Sequence, residues 1–269
     1  PARFTEILMK DQQRGFGAII IGDEIIRGKR QDRHFARLVE TLGARGLHLS
    51  WSLYVADERP RLIEILRRTL ACADVVFSFG GIGVTPDDHT RQAAAEAAGV
   101  ALQLHPDAEA EIRARCVEQG IELTPQRLQL GEFPLGSRIV PNPFNRMPGF
   151  SYADHHFFPG FPQMAWPMLE WTLDTYYRAL FHAVAEVEQA IIVWEGMEGT
   201  LLPLMRAIEA QYPHATLFSL PSFGDATRRR HVELGMRGAP DQVAAAMDEI
   251  RAEVTRLGFA WEPAVVPDK

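Results

Sequence analysis

Ala73-Asp-Val-Val-Phe-Ser-Phe-Gly-Gly-Ile-Gly-Val-Thr-Pro-Asp-Asp-His-Thr90 changes character twice. Val75 to Phe79 is a short apolar run with the length and composition of a buried strand. Gly80, Gly81 and Gly83 break it, and Thr85-Pro-Asp-Asp88 leads into Arg91–Ala98, an alanine-rich run that reads as a helix. Strand, glycine turn and helix start together make an anion site. Glycine lets backbone N–H groups approach a ligand closely, and the helix N-terminus adds partial positive charge. Asp87 and Asp88 beside such a turn point to a bridging divalent cation, because bare carboxylates repel phosphate. Thr85 can bond a phosphate oxygen. The plainer alternative is a tight turn followed by first-turn acids that favour the helix dipole.

Upstream, Gly17-Ala-Ile-Ile-Ile-Gly22 is another buried strand closed by glycine, with Asp23-Glu24 at its carboxyl end. Ligand groups of an open α/β sheet sit at that end. A helix is predicted over 32–44, with Phe35, Leu38, Val39 and Leu42 on its apolar face. A strand over 47–55 follows, then Asp57, which reads as an N-cap or a metal ligand, then a helix over 60–70. This alternation predicts a parallel sheet covered on both faces. Downstream, a strand is expected over 100–104 and a helix over 107–119. Seven prolines between 134 and 167 argue for loops around short strands at 138–140 and 155–158. His155 and His156 are adjacent on a strand, point to opposite faces and read as structural. His89 is within reach of the glycine turn in sequence. A helix is expected over 164–181.

The composition shifts near Ala183, which divides the expected domains at 15–182 and 183–262. The second reads as a small α+β unit. It has strands at 190–194, 216–220 and 232–236, and helices at 198–212 and 241–257. Val243, Met247, Ile250 and Val254 share one face of the last helix.

The 269 residues are 46% hydrophobic, enough for a sizeable core. A net charge of −7 and a pI near 5.7 argue against a nucleic-acid surface. No apolar run reaches the ~18 residues of a membrane span. Residues 1–14 read as a polar arm without the apolar centre of a secretion signal. Cys72 and Cys116 read as reduced thiols of a cytoplasmic protein. Arg228-Arg229-Arg230 reads as a solvated turn, and the tail from Pro263 as loose.

Four ordered motifs carry a resemblance. They are Ile21-Gly-Asp-Glu-Ile-Ile-Arg-Gly28, Gly80–Thr90, Pro141-Asn-Pro143 with Pro148-Gly-Phe150, and Phe158-Pro-Gly-Phe-Pro-Gln-Met164. Together they resemble the molybdopterin-binding (MoaB/Mog) domain family, in the form found at the front of CinA, the competence/damage-inducible protein. Glu198-Gly-Thr-Leu201 and Ser219-Leu-Pro-Ser-Phe223 extend the likeness into the second unit.

The resemblance implies a three-layer α/β/α sandwich with a mainly parallel sheet. It implies a pterin phosphate or dinucleotide held by Gly22, Asp23, Glu24, Gly80, Gly81, Gly83, Thr85, Asn142, Pro159 and Gly160. Asp57 and Asp88 fall where pterin-adenylating members carry their two aspartates, which implies a catalytic pair. With Asp87 they would hold Mg²⁺, Mn²⁺ or Co²⁺. CinA-type members hydrolyse ADP-ribose-like pyrophosphates, and relatives fused to FAD synthase cleave FAD. Such hydrolysis is the leading expectation. The alternatives are a pterin- or nucleotide-binding module without catalysis, and an adenylyltransferase step in molybdenum-cofactor assembly. A homo-oligomer, dimer or trimer, is also implied. No nicotinamide-nucleotide deamidase activity is expected.

The chain departs from the family pattern at Phe144-Asn-Arg-Met147, where Val-Gly-Thr-Ala is usual, and at Gln31-Asp-Arg-His34, where Asp-Thr-Asn is usual. The added cation suggests Arg146 as a phosphate contact.

Overall fold

The computed structural model describes residues 14–183, 185–224 and 229–264. The expected arm before Arg14, Arg228 of the basic run, and the tail beyond Ala264 lie outside the described residues. The chain forms two compact units, Pro1–Phe181 and His182–Lys269.

In the first unit the chain runs β1 (Phe16–Ile21), α1 (Asp23–Ile26), α2 (His34–Gly43), β2 (Leu49–Val55), α3 (Arg59–Leu70) and β3 (Val75–Phe79). It continues through α4 (Thr90–Ala98), β4 (Leu102–Leu104), α5 (Pro106–Gln119), α6 (Pro125–Gln129) and β5 (Glu132–Pro134). It closes with β6 (Arg138–Val140), β7 (Gly149–Tyr152), β8 (His155–Phe158) and α7 (Pro162–Tyr176). The six-stranded sheet has the order β2-β1-β3-β8-β7-β6. Strands β2, β1, β3 and β8 are parallel, and β7 and β6 complete the edge antiparallel.

Both faces of the sheet are covered, so its central strands are apolar on both sides. Ala18, Ile20, Phe77 and Phe79 face one core with Leu38 and Leu42 of α2 and Met168, Leu169 and Leu173 of α7. Ile19, Ile21 and Val76 face the other with Leu62, Ile63 and Leu66 of α3 and Ala93 and Ala94 of α4. This is the expected three-layer sandwich. Rings stack across strands in both cores: Phe77 and Phe158 at 6.3 Å on one side, Phe150 and Phe157 at 4.4 Å on the other. Each fully buried ring contributes roughly 1.5–3 kcal/mol.

The adjacent histidines part as strand geometry requires. His155 bonds Thr69 Oγ1 at 2.9 Å, while His156 bonds Ser151 Oγ at 2.7 Å and Tyr177 Oη at 2.6 Å. Burial lowers their pKa values to about 4 and about 3. The guanidiniums of Arg33 and Arg37 each lie over the Trp166 ring, 5.5 Å from its centre.

Several elements differ from expectation. Helix α2 buries His34, Leu38, Thr41 and Leu42, leaving Phe35 and Val39 40% and 45% exposed. The helix is rotated so that His34 reaches Phe79 and Gly160. Strand β4 lies outside the main sheet, paired antiparallel with β5. Helix α7 starts at Pro162 and ends at Tyr176, with a 3₁₀ turn at Arg178–Leu180 beyond it. Pro162 suits the first turn, and Pro167 inside the helix forgoes one backbone hydrogen bond.

The second unit runs β9 (Val187–Trp194), α8 (Glu198–Gln211), β10 (Ala215–Ser222), β11 (His231–Gly238), α9 (Pro240–Arg256) and β12 (Trp261–Pro263). Its antiparallel sheet has the order β10-β11-β9-β12. That order with a β-α-β-β-α-β chain is the split βαβ arrangement. Val243, Met247, Ile250 and Val254 are all buried against the sheet, so the small α+β unit is as expected, but β12 adds a fourth strand: Pro263, expected to begin a loose tail, pairs with Ile191.

Candidate functional site

The carboxyl ends of the parallel strands converge on one cleft of about 530 Å³. Gly22 follows β1, Asp57 follows β2, Gly80 follows β3, and Pro159-Gly160 follows β8; all five residues line it. Helices cover the faces of the sheet, so strand ends are where a ligand can meet backbone groups.

The glycine loop has the conformation that only glycine adopts without strain. Gly80 and Gly81 have φ of +106° and +68°. A Cβ on Gly80 would stand 2.3 Å from the Ile21 carbonyl oxygen, and one on Gly83 2.4 Å from Asp88 Oδ2. Thr90 stitches the loop to the start of α4. Its Oγ1 donates to the Gly80 carbonyl at 3.1 Å, and its N–H to the Gly81 carbonyl at 3.0 Å. From below, the Arg91 side chain, only 2% exposed, donates to the carbonyls of Gly83 (2.6 Å), Gln129 and Glu132. Burial lowers its pKa, and no carboxylate hydrogen-bonds it.

Thr85, Asp87 and Asp88 form one turn on the rim. The Thr85 hydroxyl lies 2.6 Å from Asp87 Oδ1 and 2.5 Å from Asp88 Oδ2, and the Thr85 N–H donates to Asp88 Oδ2 at 2.8 Å. Both acids precede the helix, whose first turn holds no acid. The hydrogen bond from Thr85 holds the Asp87 carboxyl below its usual range.

Across the loop, Asp57 does not cap its own helix, which starts after Glu58 without a side-chain cap. Asp57 Oδ2 instead accepts the Asp23 N–H at 2.8 Å, and Asp23 Oδ1 accepts the Asp57 N–H at 3.3 Å. Burial raises the Asp57 carboxyl above its usual range. The hydrogen bond from the Asp23 backbone opposes this, and the charges of Glu24, Asp23 and Asp87 add to it. Asp23 itself is outside the lining; it braces Asp57 and pairs with Arg27 at 2.9 Å.

The proline-rich segment makes the opposite wall. Asn142 is in the lining, but its amide is spent on the loop: Oδ1 accepts the Phe144 N–H at 3.0 Å and Nδ2 donates to the Met147 carbonyl at 2.9 Å. Asn145, Met147, Pro148, Phe161 and Met164 complete this wall. Arg146 does not face the cleft. Its positive φ of 59° turns the side chain onto α5, where it pairs with Glu111 and Glu118 at 2.9 Å each. The cation in the lining is Arg30. His89 is not part of the lining either.

Of the residues expected at the site, Gly22, Glu24, Asp57, Gly80, Gly81, Gly83, Thr85, Asp87, Asp88, Asn142, Pro159 and Gly160 line the cleft together. Sequence reasoning missed Arg30, Arg91, Asn145 and Phe161. Arg91 had a signal: it shares the helix face of the buried Ala94 and Ala95. Among the described residues, no three or more His, Cys, Asp or Glu side chains are gathered closely enough to hold a metal ion. The carboxylate oxygens of the lining are of the kind a hard cation takes, but such an ion would need ligand oxygens to complete its shell.

The family described as "Probable molybdopterin binding domain" matches residues 17–251. A protein of Pyrobaculum arsenaticum is 27% identical over 77% of this chain and 80% of its own length. A CinA-like protein of Chlorobium luteolum is 29% identical over 74% of this chain and 48% of its own length. One from Sulfurihydrogenibium is 33% identical over 49% of this chain and 33% of its own. The chain thus spans half or less of these two CinA-like relatives. Among solved structures, CinA of Thermoplasma acidophilum is 27% identical, covers 60% of this chain and 98% of its own, and superposes with a TM-score of 0.54. With the glycine loop, its acids and the family match in agreement over most of its length, the chain belongs to the molybdopterin-binding domain family.

Proposed function

We propose that the cleft binds a phosphorylated pterin or nucleotide and hydrolyses a pyrophosphate bond in it. The observation that carries this reading is the union of a glycine loop fit only for glycine with three aspartates, Asp57, Asp87 and Asp88, around one cleft. The backbone N–H groups of Gly81 and Gly83 hold phosphate oxygens. Arg91 fixes the Gly83 peptide from behind, and Thr90 fixes the Gly80 and Gly81 peptides. Asp57, Asp87 and Asp88 would each offer a carboxylate oxygen to a divalent cation whose shell the phosphate oxygens of the ligand would complete. When bound, Mg²⁺, Mn²⁺ or Co²⁺ neutralises phosphate charge and lowers the pKa of water. In hydrolysis a water oxygen bonds to one phosphorus, the bridging P–O bond breaks, the second phosphate leaves, and the protons of the water pass to solvent. Asp57 orients that water.

The test is incubation with ADP-ribose, FAD and ATP, each with Mg²⁺, Mn²⁺ or Co²⁺, following AMP release. AMP from ADP-ribose or FAD is expected. Asp57→Asn is the sharper variant, because Asp88 also closes the Thr85 turn. Asp57→Asn should lower turnover by about 100-fold or more while ligand-induced thermal shifts persist. Unchanged turnover removes Asp57 from the mechanism.

A second reading, pterin or nucleotide binding without catalysis, is favoured by the lack of a gathered three-ligand metal group among the described residues. No AMP from any of the substrates would leave this reading in place.

A further inference from the structure

Two cleft residues stand outside the glycine-and-aspartate machinery. Arg30 lines the cleft on the segment between α1 and α2, and its side chain has no hydrogen bond or ion pair among the described residues. The other charged residues of the lining are all acids: Glu24, Asp57, Asp87 and Asp88. Arg30 pairs with none of them, so its charge is available to an anion. Phe161 also lines the cleft, 53% exposed, as do Met147 and Met164. An exposed aromatic ring in a concave site is a stacking surface.

His34 joins the two. Its Nε2 is 3.1 Å from the Gly160 carbonyl, beside Phe161, and its ring stacks on Phe79 at 4.6 Å, beside Gly80. Asp32 Oδ1 and Oδ2 accept the N–H groups of His34 and Phe35 at 2.8 and 3.1 Å and fix the end of the Arg30 segment. The Arg30 segment, the Phe161 turn and the glycine loop therefore hold one another in register.

We propose that Arg30 and Phe161 form a ring-and-phosphate subsite, in which Phe161 stacks on a flat heteroaromatic ring and Arg30 takes a phosphate of the same ligand. The subsite selects purine or pterin phosphates over sugar phosphates that lack a ring. This rests on the phosphate-binding reading above and adds to it what the cleft discriminates. Both side chains are exposed, so substitution leaves the folded state intact.

The experiment is calorimetric titration of the whole chain with AMP, neopterin monophosphate and ribose 5-phosphate. The parent should bind a ring-bearing phosphate at least tenfold more tightly than ribose 5-phosphate, and the tighter of AMP and neopterin monophosphate identifies the ring. Phe161→Leu should weaken that ligand about tenfold and leave ribose 5-phosphate within twofold. Arg30→Gln should weaken all phosphates about tenfold, with a shallower salt dependence than the parent. Circular dichroism checks that both variants fold. Parent-like binding of every probe by both variants overturns the subsite and leaves the phosphate cleft standing. No binding of any probe by the parent overturns both.

Discussion

Gly80 has a φ of +106°, and a Cβ there would meet the Ile21 carbonyl oxygen at 2.3 Å, a backbone atom that cannot swing aside. Gly80→Ala should therefore cost about 1–3 kcal/mol of stability, read from urea denaturation, and reduce phosphate binding as the loop shifts. Arg91 acts from the other side of the same loop. Arg91→Met leaves the carbonyls of Gly83, Gln129 and Glu132 without their donor in a buried place. A loss of about 3 kcal/mol is expected in the same assay. The glycines were legible because their spacing after an apolar run has few other uses. Arg91 was not, because a lone arginine in a helix is ordinarily solvated, and only the folded loop shows what it holds. Arg146 misled for the opposite reason. The sequence shows the charge but not the positive φ that turns it onto Glu111 and Glu118.

The longer helices were legible as elements because each has enough residues to show a period. Strands β1 and β3 read as apolar runs, and α9 displays its buried stripe directly. The elements that escaped are short: α1 at Asp23–Ile26, α6 at Pro125–Gln129, β5 at Glu132–Pro134, β7 at Gly149–Tyr152 and β12 at Trp261–Pro263. Runs this short show little periodicity, and tertiary pairing decides them; β6 and β8, equally short, were legible as strands but not in their pairing. Strand β8 carries the pH dependence expected of the first unit. His155 and His156 are neutral when folded, with pKa values lowered to about 4 and about 3 by burial. In the unfolded chain they protonate near 6.5. Below that pH the unfolded chain binds more protons, so these groups stabilise the fold fully above pH 6.5. They lose that contribution as pH falls toward 4, at up to ~1.4 kcal/mol per pH unit each. Urea midpoints at pH 7.5, 6 and 5 should fall in that order. His155→Gln should flatten the series, because it can keep the bond to Thr69 without titrating.

At the scale of the molecule, every residue lining the cleft lies between Ile21 and Met164, inside the first unit. A fragment ending at Phe181 should bind AMP or neopterin monophosphate as tightly as the whole chain, measured by calorimetry. A tenfold loss would mean that the second unit supplies part of the site. The sandwich and its site could be read from the order of motifs along the chain, since three of the four motifs follow the parallel strands β1, β3 and β8. The antiparallel edge formed by β7 and β6 could not, because it is built from the proline-rich stretch. Trp166 has a further consequence. Its indole carries two cations, Arg33 and Arg37, of the segment and helix that follow Arg30, and it sits two residues after Met164 of the cleft wall. Indole emission responds to nearby charge, so the protein carries its own optical gauge. Filling the cleft should change the fluorescence of Trp166, and Trp166→Phe should abolish that change without dye or label.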